Sequence, residues 1–258
     1  MVLIVDGLWF KFQGVHWVLY LCALKSSRES TAYFLDPILL EGREAMERWL
    51  RAIEAIPAEY RKRISAFVSD GFHGSKRIVA RYGWVHQRCH FHLIAQLQMN
   101  RGGWKLKNQE GQLLRERIYQ DVRAALKERG DERCGVITKR LQGLIALSTC
   151  PRRLRIVAHD FLANLDSFRA YLHYPDLALP ETTNTLESMN HLIRERTRTL
   201  PTPASLRAWA TALIRVNRKL VCNGYNTNQI LLLYPHMYTN GNFIDGSLKR
   251  VLNGKVFD

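Results

Sequence analysis

Met1–Phe12, MVLIVDGLWFKF, consists of strand-forming residues from its first position and is interrupted by one acid, Asp6, followed by Gly7. An Asp-Gly pair between β-formers can be read in two ways. One is a type I′ hairpin turn at Val5-Asp6-Gly7-Leu8, because the pair supplies the positive φ values such turns need. The other is a continuous strand from Leu3 to Phe12 holding an acid inside it, which is costly unless a cation or a donor network compensates the charge. The residues that follow favour the continuous strand. Val15–Leu24 is a second β-rich run and Ser30–Leu35 a shorter third, with turn signals at Gly14 and at Ser26-Ser27. Three consecutive strands with short links make an antiparallel meander.

From Glu41 the period changes, as Ala45, Trp49, Ala52, Ile53 and Ile56 mark an amphipathic helix that Pro57 helps to end. Ile64–Ser69 is then a buried-type strand finishing at Asp70-Gly71. A hairpin turn is the competing reading here as well, but the apolar run leads into a helix, Lys76–Tyr82, closed by Gly83. Trp84–Cys89 reads as a further strand. The order β-β-β-α-β-α-β predicts an α/β fold with a mixed five-stranded sheet flanked by helices, the strand ending in Asp70 being entered through a crossover helix. Asp6 and Asp70 then stand on neighbouring strands.

Beyond His92 the pattern is helical over a long span. Leu113, Leu114, Ile118, Val122, Ala125 and Leu126 keep helical spacing, as do Val136, Ile137, Leu141, Leu144 and Ile145, then Ile156, Phe161, Leu165, Phe168 and Leu172. Residues 101–178 are therefore expected to form an all-helical insertion between a first core part, 1–100, and a second, 179–222. Residues 223–258 form a tail.

Glu181–Leu200, ETTNTLESMNHLIRERTRTL, reads as one helix. Leu186, Met189 and Ile193 make its apolar face, and Glu187 lies beside them. Asn190, His191, Arg194 and Arg198 continue from that acid at three- and four-residue steps. The modest interpretation makes Asn184 an N-cap and Glu187 the third residue of a capping box, with the arginines favouring the helix C-terminal dipole. A helix from Ala204 to about Cys222 follows.

At 258 residues, 47% of them hydrophobic, the chain is long enough for a substantial core. Thirty-eight Lys and Arg against 23 Asp and Glu leave a formal charge of +15, which favours a polyanionic partner, nucleic acid first. No apolar run approaches the roughly 20 residues a membrane span needs. The scattered set of five cysteines argues against a disulfide framework and for reduced thiols inside a cell. Clusters such as Arg61-Lys62-Arg63, Arg152-Arg153-Arg155 and Arg218-Lys219 are either solvated helix ends or phosphate contacts, and Trp104 is a candidate for stacking on a base.

Two aspartates on adjacent strands and a glutamate on a packing helix would form an oxygen-only cage suited to Mg²⁺ or Mn²⁺. Two such ions about 4 Å apart activate an attacking oxygen and stabilise a leaving one in phosphoryl transfer. Cys89-x-x-His92 has the spacing of half a zinc site, but no second pair with finger-like spacing follows it.

Asp6 in VDGLW, Asp70 in FVSDGFHG, Cys89 to His92 in RCHFH and Asn184 to Asn190 in NTLESMN together resemble the catalytic signatures of DDE transposases of bacterial insertion sequences, especially the Mutator-like group. The resemblance covers roughly residues 1–220. It implies an RNase H-like fold with the first Asp in strand one, the second after strand four and the Glu on a late helix beyond a helical insertion. It further implies that Asp6, Asp70 and Glu187 bind two Mg²⁺ or Mn²⁺ ions and catalyse cleavage at transposon ends, followed by attack of a 3′-hydroxyl on target DNA. Cys89, His92, Asn184, Asn190, Arg194 and Arg198 would support the site or touch DNA. Double-stranded DNA, a homodimer or larger synaptic assembly, and a bacterial cytoplasmic setting near the nucleoid come with the family. Such transposases carry DNA-binding helices before the first catalytic strand, which here starts at Met1, so a chain lacking that part is expected. The alternatives are a DNA-binding remnant without catalysis and a plain RNase H-like nuclease.

Overall fold

The computed structural model describes residues 1–101, 109–197 and 199–221. Trp104, Arg198 and the tail 223–258 lie outside the described residues. The chain begins with two long strands, β1 (Val2–Phe12) and β2 (Val15–Lys25), paired antiparallel from Val2 opposite Lys25 to Phe12 opposite Val15. Their turn is Gln13-Gly14, both with positive φ (47° and 85°) as a two-residue hairpin of the primed type requires. Asp6 therefore sits in mid-strand, opposite Leu21, and is no turn residue.

The outer edge of β2 is shared. β3 (Thr31–Phe34) pairs with its Ala23–Lys25 end and β4 (Ile38–Glu41) with Trp17–Tyr20. The crossover expected from the sequence follows as α1 (Met46–Glu54) and α2 (Ala58–Arg61), leading into β5 (Ala66–Ser69), which lies parallel to β1. A second crossover, α3 (Ser75–Tyr82), leads to β6 (Val85–Arg88), parallel to β5. The result is an α/β fold with a mixed sheet in the order β6-β5-β1-β2-β3-β7, β4 pairing β2 beside that path.

Seven strands replace the five predicted. β4 is four residues between Pro37 and Gly42, too short to show a period, and the pairing surface left open on β2 recruits it. β7 (Lys219–Val221) falls where the sequence predicts the end of a helix. That helix stops at Val216 because Asn217 leaves helical geometry, and the chain then pairs with β3.

Beyond β6 come α4 (His90–Arg101), α5 (Gln109–Lys127), α6 (Asp131–Ala146), α7 (Arg152–Ala163) and α8 (Leu165–Phe168). Phe91, Leu97, Ile118, Val122, Leu141, Ile145, Leu154, Phe161 and Phe168 fill a core that belongs to these helices alone. A short α9 (Ala170–His173) and a 3₁₀ turn, Pro175–Leu177, bring the chain back to the sheet, followed by α10 (Asn184–Thr197) and α11 (Pro203–Val216). Thr202 caps α11 in a reciprocal capping box with Ser205.

Alternation along β1 divides the sheet between two cores. Val2, Ile4 and Leu8 face α10 and α11, packing with Leu186, Met189, Ile193, Ala210 and Ile214. Leu3 and Val5 face the other way, toward Trp49, Ile53 and Ile78. Asp6 occupies a position on the α10 side that the period reserves for an apolar residue. No described helix is long and apolar enough to cross a membrane.

The second core is centred on Trp49, fully buried, edge-on to Tyr20 at 4.6 Å and stacked on Phe72 at 4.9 Å. Trp49→Ala is expected to destabilise the protein by about 3–5 kcal/mol, seen as a lower urea midpoint with an unchanged m-value.

Candidate metal centre

The parallel pairing of β1 with β5 sets Val2 beside Ala66 and Ile4 beside Val68. Continued two residues further, the same register sets Asp6 level with Asp70, where the strands diverge at the carboxyl end of the parallel part of the sheet. Crevices at that end are where open α/β sheets place their ligands. Asp70 ends its strand in a tight turn, with Phe72 N–H donating to its Oδ1 at 2.9 Å and Gly71 at φ 85°. The positive φ favours glycine at Gly71, and a side chain there would also have to displace the Arg88 guanidinium.

β6 ends one strand further along at the same edge. Its continuation, α4, carries His92 in the first turn. Ligand atoms of Asp6, Asp70 and His92 all lie within 4.8 Å of one another, and among the described residues this is the one such grouping of His, Cys, Asp and Glu. Glu187 joins it from α10, its Oε1 3.2 Å from His92 Nε2 and its carboxyl in hydrogen-bonding contact with Asp6. Asn190, one turn further on, donates through Nδ2 to Asp6 Oδ2 at 2.5 Å, while the Gly7 N–H donates to Asp6 Oδ1 at 2.9 Å. Arg194 approaches closely enough to favour the ionised form of Glu187.

Burial and the nearby Asp6 carboxylate push Glu187 up to about 7, against the opposing influence of His92 and Arg194. His92 moves the other way in charge: burial lowers its affinity for a proton, but the Cys89 sulfur and the carboxylates of Glu187 and Asp70 outweigh burial and hold the ring protonated well above its ordinary range. In the free protein the imidazolium thus stands among the acids as their counter-charge.

Cys89 belongs to the support of this site. Its Sγ lies 3.2 Å from Thr183 Oγ1 and accepts the Thr183 N–H at 3.2 Å, joining the β6–α4 junction to the residue that precedes α10. His90 N–H donates to Glu181 O at 2.8 Å across the same seam. Gln87, fully buried on β6, donates to Phe168 O at 3.0 Å and accepts from Tyr171 N–H at 2.8 Å, so the return from the helical unit is fastened beside the site. Thr183 and Gln87 carry no sequence signal. Their partners are remote in the chain, 94 residues away for Thr183.

Two other histidines stand apart from this cluster. His191 is exposed and pairs with Glu195 at 3.1 Å, turned out of the line from Glu187 to Arg194. His86 hydrogen-bonds Ser69 Oγ at 3.0 Å inside the core, and burial followed by the charge of Arg88 lowers it to about 4. Among the described residues no second Cys/His pair meets Cys89 and His92. Beside the carboxylates an imidazole nitrogen also borders the site, His92 lying with Asp6 and Asp70 and 3.2 Å from Glu187. The Asn184 side chain, and with it the capping box, lies outside the described side chains. Several basic residues serve the fold: Arg61 caps α1 through Glu54 O at 2.6 Å, Arg155 binds Leu147 O at 2.8 Å, and Arg215 and Arg218 share Asp36.

No model of a known protein family matches the chain, and no curated protein matches it.

The raised Glu187 makes stability depend on pH in a defined window. The folded protein binds this proton up to about pH 7 whereas the unfolded chain releases it near 4.5. Unfolding free energy should therefore fall as pH rises through that interval. Between pH 4.5 and 6, His92 is largely protonated in both states, and the slope belongs to Glu187. The loss is expected on the order of 1–2 kcal/mol over that interval, and Glu187→Gln should flatten it in urea titrations at pH 4.5, 5.25 and 6. An equal slope in the variant would assign the proton to another group.

Proposed function

We propose that this chain is the catalytic portion of a DDE-type DNA transposase with an RNase H-like fold, in which Asp6, Asp70 and Glu187 hold two divalent ions for cleavage at transposon ends and joining to target DNA. The observation that carries the proposal is the convergence of three carboxylates from residues 6, 70 and 187 at one sheet edge, across an intervening helical unit. The strand arrangement supports it. Four strands joined by antiparallel pairing, β2, β3, β4 and β7, lie on one side of β1 and two parallel ones, β5 and β6, on the other, with the first acid on β1, the second after β5 and the glutamate on a late helix.

The donor set suits a hard divalent ion. Burial and Asp6 together raise Glu187 to about 7, and a bound cation would relieve that repulsion. Bound Mg²⁺ or Mn²⁺ supplies activation of the attacking oxygen and stabilisation of the leaving one. The chain's own residues orient the ligands. Asn190 and the Gly7 N–H hold the Asp6 carboxylate, the Phe72 N–H holds Asp70, and the apolar face of α10 keeps Glu187 from withdrawing.

The partner in this reading is duplex DNA. The formal charge of +15 attracts it over long range, and Lys62, Arg63, Arg153 and Arg196 are exposed to meet phosphates. Pairing two transposon ends calls for a homodimer or a larger assembly.

The test is a joining assay with pre-cleaved ends bearing a free 3′-hydroxyl, in Mg²⁺ and in Mn²⁺. Asp6→Asn and Glu187→Gln are expected to lower joining by at least about a hundredfold while anisotropy still reports duplex binding. Undiminished joining in either variant would refute the triad, and hydrolysis without joined product in the wild type would favour a nuclease.

A further inference from the structure

The third side chain that closes around the two aspartates is His92. Its ring lies with Asp6 and Asp70 inside a 4.8 Å grouping, and its Nε2 is 3.2 Å from Glu187 Oε1. Ligands at right angles around an ion with bonds of about 2.1 Å lie about 3 Å apart, so Nε2 and the glutamate oxygen already have the spacing of neighbours in one coordination shell.

A separate feature of the site also points to a ligand. Asn190 is 95% buried, its exposure being 5%, and its Nδ2 is engaged by Asp6. Its Oδ1, on the same amide, has no hydrogen-bond partner. Buried carbonyl oxygens are nearly always satisfied, and this one borders the carboxylate that Asn190 itself orients. The water carried by a bound ion is a donor of the right kind for it.

We propose that Asp6, Asp70 and His92 hold one divalent ion in a mixed oxygen and nitrogen site, with Asn190 Oδ1 accepting from its water, and that His92 makes this position favour Mn²⁺ or Zn²⁺ over Mg²⁺ and Ca²⁺. The chemistry follows from ligand type. Imidazole binds Mn²⁺ moderately and Zn²⁺ well, whereas Mg²⁺ and Ca²⁺ prefer all-oxygen shells. The proposal rests on the metal-dependent reading above and narrows the ion that it uses. Glu187 then has two roles open to it at one geometry: a fourth ligand to the same ion, or a carboxylate that holds the ring.

Pulsed EPR of Mn²⁺ added to the full chain tests this without any substrate. Bound Mn²⁺ is expected to show nitrogen modulation from a directly ligated imidazole. His92→Gln should abolish the modulation and weaken Mn²⁺ at least about tenfold, while His191→Gln, altered at an exposed ring outside the site, should leave both unchanged. His92→Asp, which restores an all-oxygen set, should bring the Mg²⁺ concentration needed to displace Mn²⁺ down toward parity. Bound Mn²⁺ with no nitrogen modulation in the wild type overturns the His92 assignment and leaves the three-carboxylate reading standing. Modulation that persists in His92→Gln overturns it too. Failure of the wild type to bind Mn²⁺ at millimolar concentration would overturn both.

Discussion

Carboxylates gathered in a partly desolvated pocket repel one another, and the surroundings of Asp6, Asp70 and Glu187 are arranged around that repulsion. At an effective dielectric of about 20, two unit charges 4 Å apart interact by about 4 kcal/mol, a large fraction of a domain's net stability. The structure offsets it locally. Donors from Gly7, Asn190 and Phe72 hold the aspartates, the protonated His92 ring faces Glu187, and Glu187 itself retains a proton up to about pH 7. The apolar contacts of Leu186, Met189 and Ile193 with β1 anchor α10, so the glutamate cannot relieve the strain by moving away. Burying such side chains contributes about 1.5–3 kcal/mol each, enough to outweigh the electrostatic penalty of the arrangement.

The same constraint explains the fastening of the helical unit. Between Asp70 and Glu187 the chain leaves the sheet, builds a separate core and returns, and a long excursion adds little closure entropy beyond a short one. The return must still be accurate. Gln87, His90 and Cys89, all on or next to β6, bind Phe168, Tyr171, Glu181 and Thr183 on the returning chain. Arg88 adds an ion pair with Asp160 at 2.8 Å and lies over the Phe168 ring. The Cys-x-x-His pattern is then understood in physical terms: the sulfur latches the entry to α10, and one helical turn later the imidazole meets the acid that α10 carries.

The positive charge divides into two populations that composition alone merges. Arg61, Arg155, Arg169, Arg215 and Arg218 satisfy carbonyls or carboxylates of the fold, and Arg169 is almost wholly buried as it binds Glu128 O at 2.6 Å. Residues 62, 63, 153 and 196 are among the exposed basic positions, whose charge acts at a distance. A net charge read from sequence thus overstates the charge left uncommitted, since hydrogen bonds and ion pairs within the fold engage part of it.

Alternation along Met1–Phe12, the helical period from Leu113 to Leu172 and the two Asp-Gly pairs were legible locally, because each depends on residues a few positions apart. They determine an α/β chain with two acids at strand positions and a long helical segment before a third. The strands β4 and β7 were not legible, being too short to carry a period and formed only because β2 and β3 offered open edges. Nor was the place of His92 among the carboxylates, or the Cys89–Thr183 contact, since no local pattern relates residues whose neighbours are a hundred positions away. Tertiary structure decided those. Parallel register set Asp6 level with Asp70, and packing of one apolar helix face brought Glu187 down onto them. A charge's partners, and therefore its protonation and its chemistry, depend on distances that exist only once the chain has closed on itself.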